Sequence, residues 1–220
     1  MLIFSLTFHE AAHAWAALRG GDPTAYLGGQ VSLDPMPHIR RERVGMVIAP
    51  WLFYVFGGWM IGWASTPFDP RWAFQHPRRA AWMSVAGPAA NAVLVVVAGG
   101  AVRLGLAFGV FEAPVAIGFS DLTAATQPGV WATLATLVSL LFTLNLLLCV
   151  FNLLPVPPLD GSGAIGLFLG ADAARRAQEL MRQPTLALGG LLLAWFLIGR
   201  MFGPIHLLAV NLLYPGLEYH

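Results

Sequence analysis

The sequence predicts an α-helical polytopic membrane protein: four transmembrane helices, a re-entrant hairpin and a small membrane-associated β element. Three observations carry this reading. The 220-residue chain is 57% hydrophobic and only 10% charged, with a mean hydropathy of +0.68, where soluble domains carry about 25% charged residues. Its apolar residues gather into five runs, to be judged against the ~20 residues that a spanning helix needs. All twelve basic residues are arginine, and they cluster in loops, which suits membrane topology rather than nucleic-acid binding.

The first run, residues 1–18, holds His9-Glu10-Ala11-Ala12-His13. On a helix this spacing puts two imidazoles one turn apart on one face, able to hold one zinc, with the glutamate beside the attacking water. A chance match in a chain of this composition has a probability under roughly one per cent. Three ionisable residues inside a membrane helix are costly unless they serve a site. From His9 or Glu10 to Arg19 is roughly 14 Å at helical rise, about half the hydrocarbon thickness. No basic n-region precedes the run, so it reads as a retained helix rather than a cleaved signal.

Residues 25–33, with Gly28 and Gly29 inside, read as a strand or β-hairpin. Residues 44–64 are charge-free and long enough to cross, but contain Pro50, Gly57, Gly58 and Gly62. Residues 80–108 form the next run and include Ala86-Gly87-Pro88-Ala89-Ala90-Asn91. After a loop with Glu112 and Asp121, apolar character resumes at residues 130–171, where Asp160 is the only charge and Pro155, Pro157 and Pro158 must break the helix. Residues 186–213 make the last span, interrupted by Arg200.

A catalytic zinc takes three protein ligands and leaves a position for water, so two histidines are one ligand short. Asp160, isolated in its apolar run, is the candidate third; the alternative is a hydrogen-bonded helix cap after Pro158. At these residues the chain resembles the site-2 protease family of intramembrane zinc metallopeptidases. Three motifs match in order: His9-Glu10-x-x-His13, Ala86-Gly87-Pro88-x-x-Asn91, and Asn152-x-x-Pro155-x-x-Pro158-Leu159-Asp160-Gly161. The resemblance implies one Zn2+ per chain on His9, His13 and Asp160, with Glu10 as catalytic base. It implies site-shaping roles for Asn91 and Asn152. It also likens the element around Gly28 and Gly29 to one that aligns extended substrate. Residues 1–220 are then a single integral-membrane metallopeptidase domain, without the PDZ or CBS domains of many members and with a first helix cut short at its start. The implied reaction is hydrolysis of transmembrane or membrane-proximal peptide segments within the bilayer. Partners are a transmembrane protein or peptide substrate and the lipid bilayer, with no nucleic acid and with accessory regulators left open.

The shared metal constrains topology. His13 and Asp160 lie near helix ends that must face the same side, which fails if residues 44–64 cross fully. A full crossing also splits Arg19, Arg40, Arg41 and Arg43 from Arg71, Arg78, Arg79, Arg175, Arg176 and Arg182. A re-entrant segment keeps all ten on one side, opposite the Glu112–Asp121 loop, as the positive-inside rule prefers. The expected location is therefore the cell membrane, multi-pass, with the site opening toward the cytoplasm.

Other residues have plainer readings. His38 and His76 read as interfacial side chains beside arginines, and His206 as a packed, hydrogen-bonded histidine. Trp51, Trp59, Trp63, Trp72 and Trp82 read mostly as interfacial anchors. Cys149 reads as inert packing, and a lone cysteine allows no internal disulfide. Gly161-Ser162-Gly163 lacks the glycine two residues before serine that a rhomboid-type nucleophile wants. The rival functional reading is a catalytically weak protein of the same fold that binds or retains membrane clients. The four intact site residues count against it. A zinc transporter would need acidic or histidine residues spread over several spans.

Overall fold

The computed structural model describes every residue except Trp59, Met60, Ile61, Arg182, Glu218 and His220. Trp59 as an anchor, Arg182 in the arginine count and the middle of residues 44–64 therefore lie outside the described residues. The chain is mostly helical: α1 (Leu2–Arg19), α2 (Thr24–Leu27), α3 (Pro35–Arg41), a π-helical turn (Val44–Ile48) running into α4 (Ala49–Gly57), α5 (Pro70–Gln75), α6 (Pro77–Ala107), α7 (Val130–Asn152), α8 (Asp160–Ala164), α9 (Ala171–Met181) and α10 (Pro184–Leu213). A two-residue antiparallel pair joins β1 (Phe111–Glu112) to β2 (Ala124–Ala125). Among the described residues, three helices are long and apolar enough to cross a membrane: α6, α7 and α10. The chain divides into two compact units. One holds residues 91–151 and 195–220 with Met1, the other residues 2–90 and 152–194.

In the first unit, Ala98 and Val102 of α6, Leu122, Phe142 of α7, and Val210 and Tyr214 form the core. Ser139 Oγ accepts from the backbone N–H of Leu122 and of Thr123 at 3.0 and 3.2 Å. Tyr214 donates its hydroxyl to Leu122 O at 3.0 Å. Two backbone donors of the loop between α6 and α7 are thus satisfied on α7, and the Leu122 carbonyl on Tyr214. His206 lies within 3.3 Å of Thr143 Oγ1 and stacks on Phe202, so the packed, hydrogen-bonded reading holds.

The second unit carries the functional residues. α1 ends on a glycine cap: Gly21 takes φ +98°, and Asp22 N–H reaches back to Ala17 O at 2.9 Å. Buried Asp22 then bolts this corner down. Its Oδ1 accepts from Thr24 N–H at 2.9 Å and from the Thr24 hydroxyl, and its Oδ2 accepts from Asp69 N–H at 2.7 Å. Trp72 is buried and donates its indole N–H to Gly20 O at 2.9 Å. It is a bolt between α5 and the end of α1, not an interfacial anchor. His38 is buried as well, with Nε2 3.0 Å from Ser32 O, rather than interfacial.

The strand expected over residues 25–33 is not formed. Asp22 closes an Asx-type turn on Thr24, and Pro23 fixes the backbone at the start of a helical turn. Leu27 N–H and Gly28 N–H then bond Pro23 O and Thr24 O. Gly29, at φ +73°, ends that turn. The short apolar pattern fits a helical turn as well as a strand, and the local caps decide it. The small sheet lies instead at β1–β2.

The two ends of residues 44–64 meet. Trp63 N–H bonds Gly45 O at 3.0 Å, and the Ser65 hydroxyl donates to Glu42 Oε1 at 2.5 Å. A Cβ on Gly45 would collide with Trp63 O, and one on Gly62 would lie 2.7 Å from Gly45 O. Glycine is needed at both positions because two backbones meet there. Gly58 ends α4 at φ +71°, and the residues of α4 after Pro50 are exposed, Trp51 and Phe56 at 63% and 84% among them.

Candidate metal centre

α1 lifts His9, Glu10 and His13 into a buried position, each 5% exposed. The fourth-residue spacing turns both imidazoles to one face, with their Nε2 atoms 3.0 Å apart. Asp160, the first residue of α8, brings Oδ2 within 3.1 Å of His9 Nε2 and 3.2 Å of His13 Nε2. These ligand atoms form the one three-residue metal-type cluster among the described residues. Ligands of a tetrahedral zinc with bonds near 2.0–2.2 Å stand about 3.3 Å apart, so the spacing fits the ion.

The backbone orients the donors. His13 Nδ1 lies 2.7 Å from Met83 O; a carbonyl can only accept, so Nδ1 carries the proton and donates it. Nε2 is left facing the cluster, the atom that a zinc ligand would use. Nε2 of both imidazoles and a carboxylate oxygen converge on one space, a donor set that would suit a cation. Gly87 of α6 borders the same space. A Cβ there would press into His13 Nε2 and lie 2.5 Å from His9 Nε2. Gly87 sits inside a regular helix at negative φ, so space rather than backbone freedom requires glycine.

Asp160 is held from behind by a run broken by prolines. Ser162 donates both N–H and hydroxyl to Leu159 O at 3.0 and 2.7 Å. Gly161 lies against the carbonyls of Leu153 and Leu154, and Gly190 of α10 against Pro157 O. Glu10 has its own partner: the Thr66 hydroxyl lies 2.7 Å from Glu10 Oε2 and 2.9 Å from Glu10 O.

The structure brings together His9, His13 and Asp160, with Glu10 next to His9 on α1. Gly28 lies instead against Ala25 and Gln30 of its own turn, and Gly29 against Pro37 of α3. Asn91, fully buried one turn beyond Gly87, donates Nδ2 to Asn145 Oδ1 at 2.8 Å, and Asn145 donates to Leu141 O at 2.7 Å. Asn152 is half-buried as the last residue of α7, at the start of the run to Asp160. Three participants escape the sequence: Met83, acting through its carbonyl; Thr66, 56 residues from its partner; and Gly87, whose motif is visible while its reason is spatial.

Two histidines and a carboxylate beside a buried glutamate on H-E-x-x-H have the build of a metallopeptidase centre. The chain belongs to peptidase family M50, whose family model matches residues 1–197. It is 36% identical over 161 residues to "Putative zinc metalloprotease YwhC" of Bacillus subtilis (strain 168), covering 73% of this chain and 63% of that protein. It is 31% identical over 206 residues to "Putative zinc metalloprotease Rip2" of Mycobacterium tuberculosis (strain ATCC 25618 / H37Rv), covering 93% of this chain and 69% of that protein. The Rip2 of Mycolicibacterium smegmatis is 30% identical over 177 residues, 79% of this chain and 57% of the relative. No solved structure matches the chain.

Proposed function

We propose that the chain is a zinc metalloendopeptidase that cleaves transmembrane or membrane-proximal peptide segments within the bilayer. His9, His13 and Asp160 would hold one zinc. The observation that carries this reading is the convergence of those three donors on a space that Gly87 leaves open, with Glu10 buried beside them. When bound, a zinc would supply Lewis acidity to the scissile carbonyl and make water acidic enough to lose a proton near neutrality. Glu10 takes that proton as the water oxygen bonds the carbonyl carbon. It then passes the proton to the leaving nitrogen as the C–N bond breaks. Asp160 and the two histidines keep their ligand atoms in place throughout, braced by Met83 O and the Leu159 turn.

The test is a reconstituted one. Purified chain in liposomes with a transmembrane peptide is expected to hold one zinc and to cut the peptide. Activity should be lost with a chelator and restored by zinc. A chain that holds zinc and binds the peptide without cutting it would support the client-retaining alternative.

The same reading includes four crossing helices, α1, α6, α7 and α10, with residues 44–64 re-entrant. Supporting it are the Trp63–Gly45 bond, the 14-residue length of Val44–Gly57 against the ~20 needed to cross, and the arginines that it gathers on one side. The start of α1 and the Glu112–Asp121 loop then face outward, and the arginine loops face the cytoplasm. In a Cys149→Ala background, Glu112→Cys is expected to react with an impermeant thiol reagent in intact cells. Phe68→Cys is expected to react only after permeabilisation. Labelling of Phe68→Cys from outside would show that residues 44–64 cross.

A further inference from the structure

We propose that Thr66 positions the catalytic base, reserving one oxygen of Glu10 for proton transfer. The inference rests on the assignment of Glu10 as base and extends it to a residue outside every motif described above. The Thr66 hydroxyl carries one proton and has two acceptors in reach, Glu10 Oε2 at 2.7 Å and Glu10 O at 2.9 Å. A hydroxyl donates to one acceptor at a time, and the bond to an ionised carboxylate is the stronger. Its proton therefore rests on Oε2, which leaves Oε1 to take the water's proton and give it to the leaving nitrogen. Once Oε1 carries the proton, Oε2 becomes the carbonyl oxygen of the acid and still accepts from Thr66. The same contact serves both halves of the cycle without movement of any heavy atom.

The surroundings hold the hydroxyl in place. Within six residues of Thr66 the chain is tied at Trp63 N–H to Gly45 O, at Ser65 to Glu42, and at Asp69 N–H to Asp22 Oδ2. Thr66 sits between these ties on an otherwise irregular stretch, half-buried against α1. Its β-branch restricts χ1, so the hydroxyl has few other directions to take. A carboxylate fixed before substrate arrives has no reorientation to make during the reaction.

Thr66→Val keeps the shape and removes the donor. Cleavage in liposomes should fall about 10- to 100-fold in kcat, with KM, zinc content and melting temperature unchanged. Thr66→Ser should restore kcat to within about threefold, because the hydroxyl alone carries the effect. In a Glu10→Gln background, Thr66→Val should cost nothing further, since the two residues act as one unit. Wild-type kcat in Thr66→Val, with Glu10→Gln inactive, would overturn the role of Thr66 and leave the base assigned. Loss of zinc or of melting temperature in Thr66→Val, unrescued by serine, would also overturn it by showing a structural role. Normal turnover in Glu10→Gln would instead remove the base assignment beneath it.

Discussion

Glu10→Gln is expected to abolish peptide hydrolysis while zinc stays bound. Glutamine fills the same buried space, and its amide oxygen can still accept from Thr66, so neither α1 nor the adjoining histidines have cause to move. It cannot take a proton from water. General acid–base catalysis contributes about 10²- to 10⁴-fold, so kcat should fall by at least that range, equal to about 3–5 kcal/mol of lost transition-state stabilisation. Single-turnover cleavage and elemental analysis on the same preparation separate the two effects. Near-normal turnover with full zinc would remove Glu10 from the mechanism.

Gly87→Ala is expected to cost the chain its metal and leave the fold standing. Alanine is the better helix former by about 1 kcal/mol, and Gly87 lies within α6, so local propensity favours the change. The added methyl would press on His13 Nε2 and lie 2.6 Å from His9 Cε1. To relieve that contact the His13 ring must turn, and the 2.7 Å bond to Met83 O would be lost. Zinc stoichiometry after dialysis, and melting temperature with and without added zinc, would report it. Wild type should melt higher with the ion, as any ligand that favours the native state requires, and Gly87→Ala should not respond. One tightly held zinc in the variant would refute this account of the glycine.

The metal-type cluster was legible where residues are costly in their setting. His9, His13 and Asp160 stand out because ionisable groups in apolar runs demand a reason, and the structure brings the three together. The runs that become α6, α7 and α10 were legible because length and hydropathy suffice. Other features depend on contacts that no local pattern carries. Thr66 is an ordinary residue until folding lays it on Glu10. Trp72 and His38 look interfacial until Gly20 O and Ser32 O bury their polar atoms. The strand expected at residues 25–33 failed for a local reason that is itself readable: Asp-Pro pairs recur at Asp22-Pro23, Asp34-Pro35 and Asp69-Pro70. At the second and third the aspartate caps a helix through its side chain. At the first it closes the turn from which α2 starts.

The contacts around the centre differ greatly in how much chain they enclose. Gly45 and Trp63 can meet once a loop of under twenty residues has closed, and Glu10 meets Thr66 across 56. His13 and Asp160 are 147 residues apart. During synthesis Glu10 and Thr66 can meet while α7 is still unmade, but Asp160 can join His9 and His13 only after α7 has emerged. Each nascent chain is therefore without its complete three-residue donor cluster until the residues beyond α7 are in place.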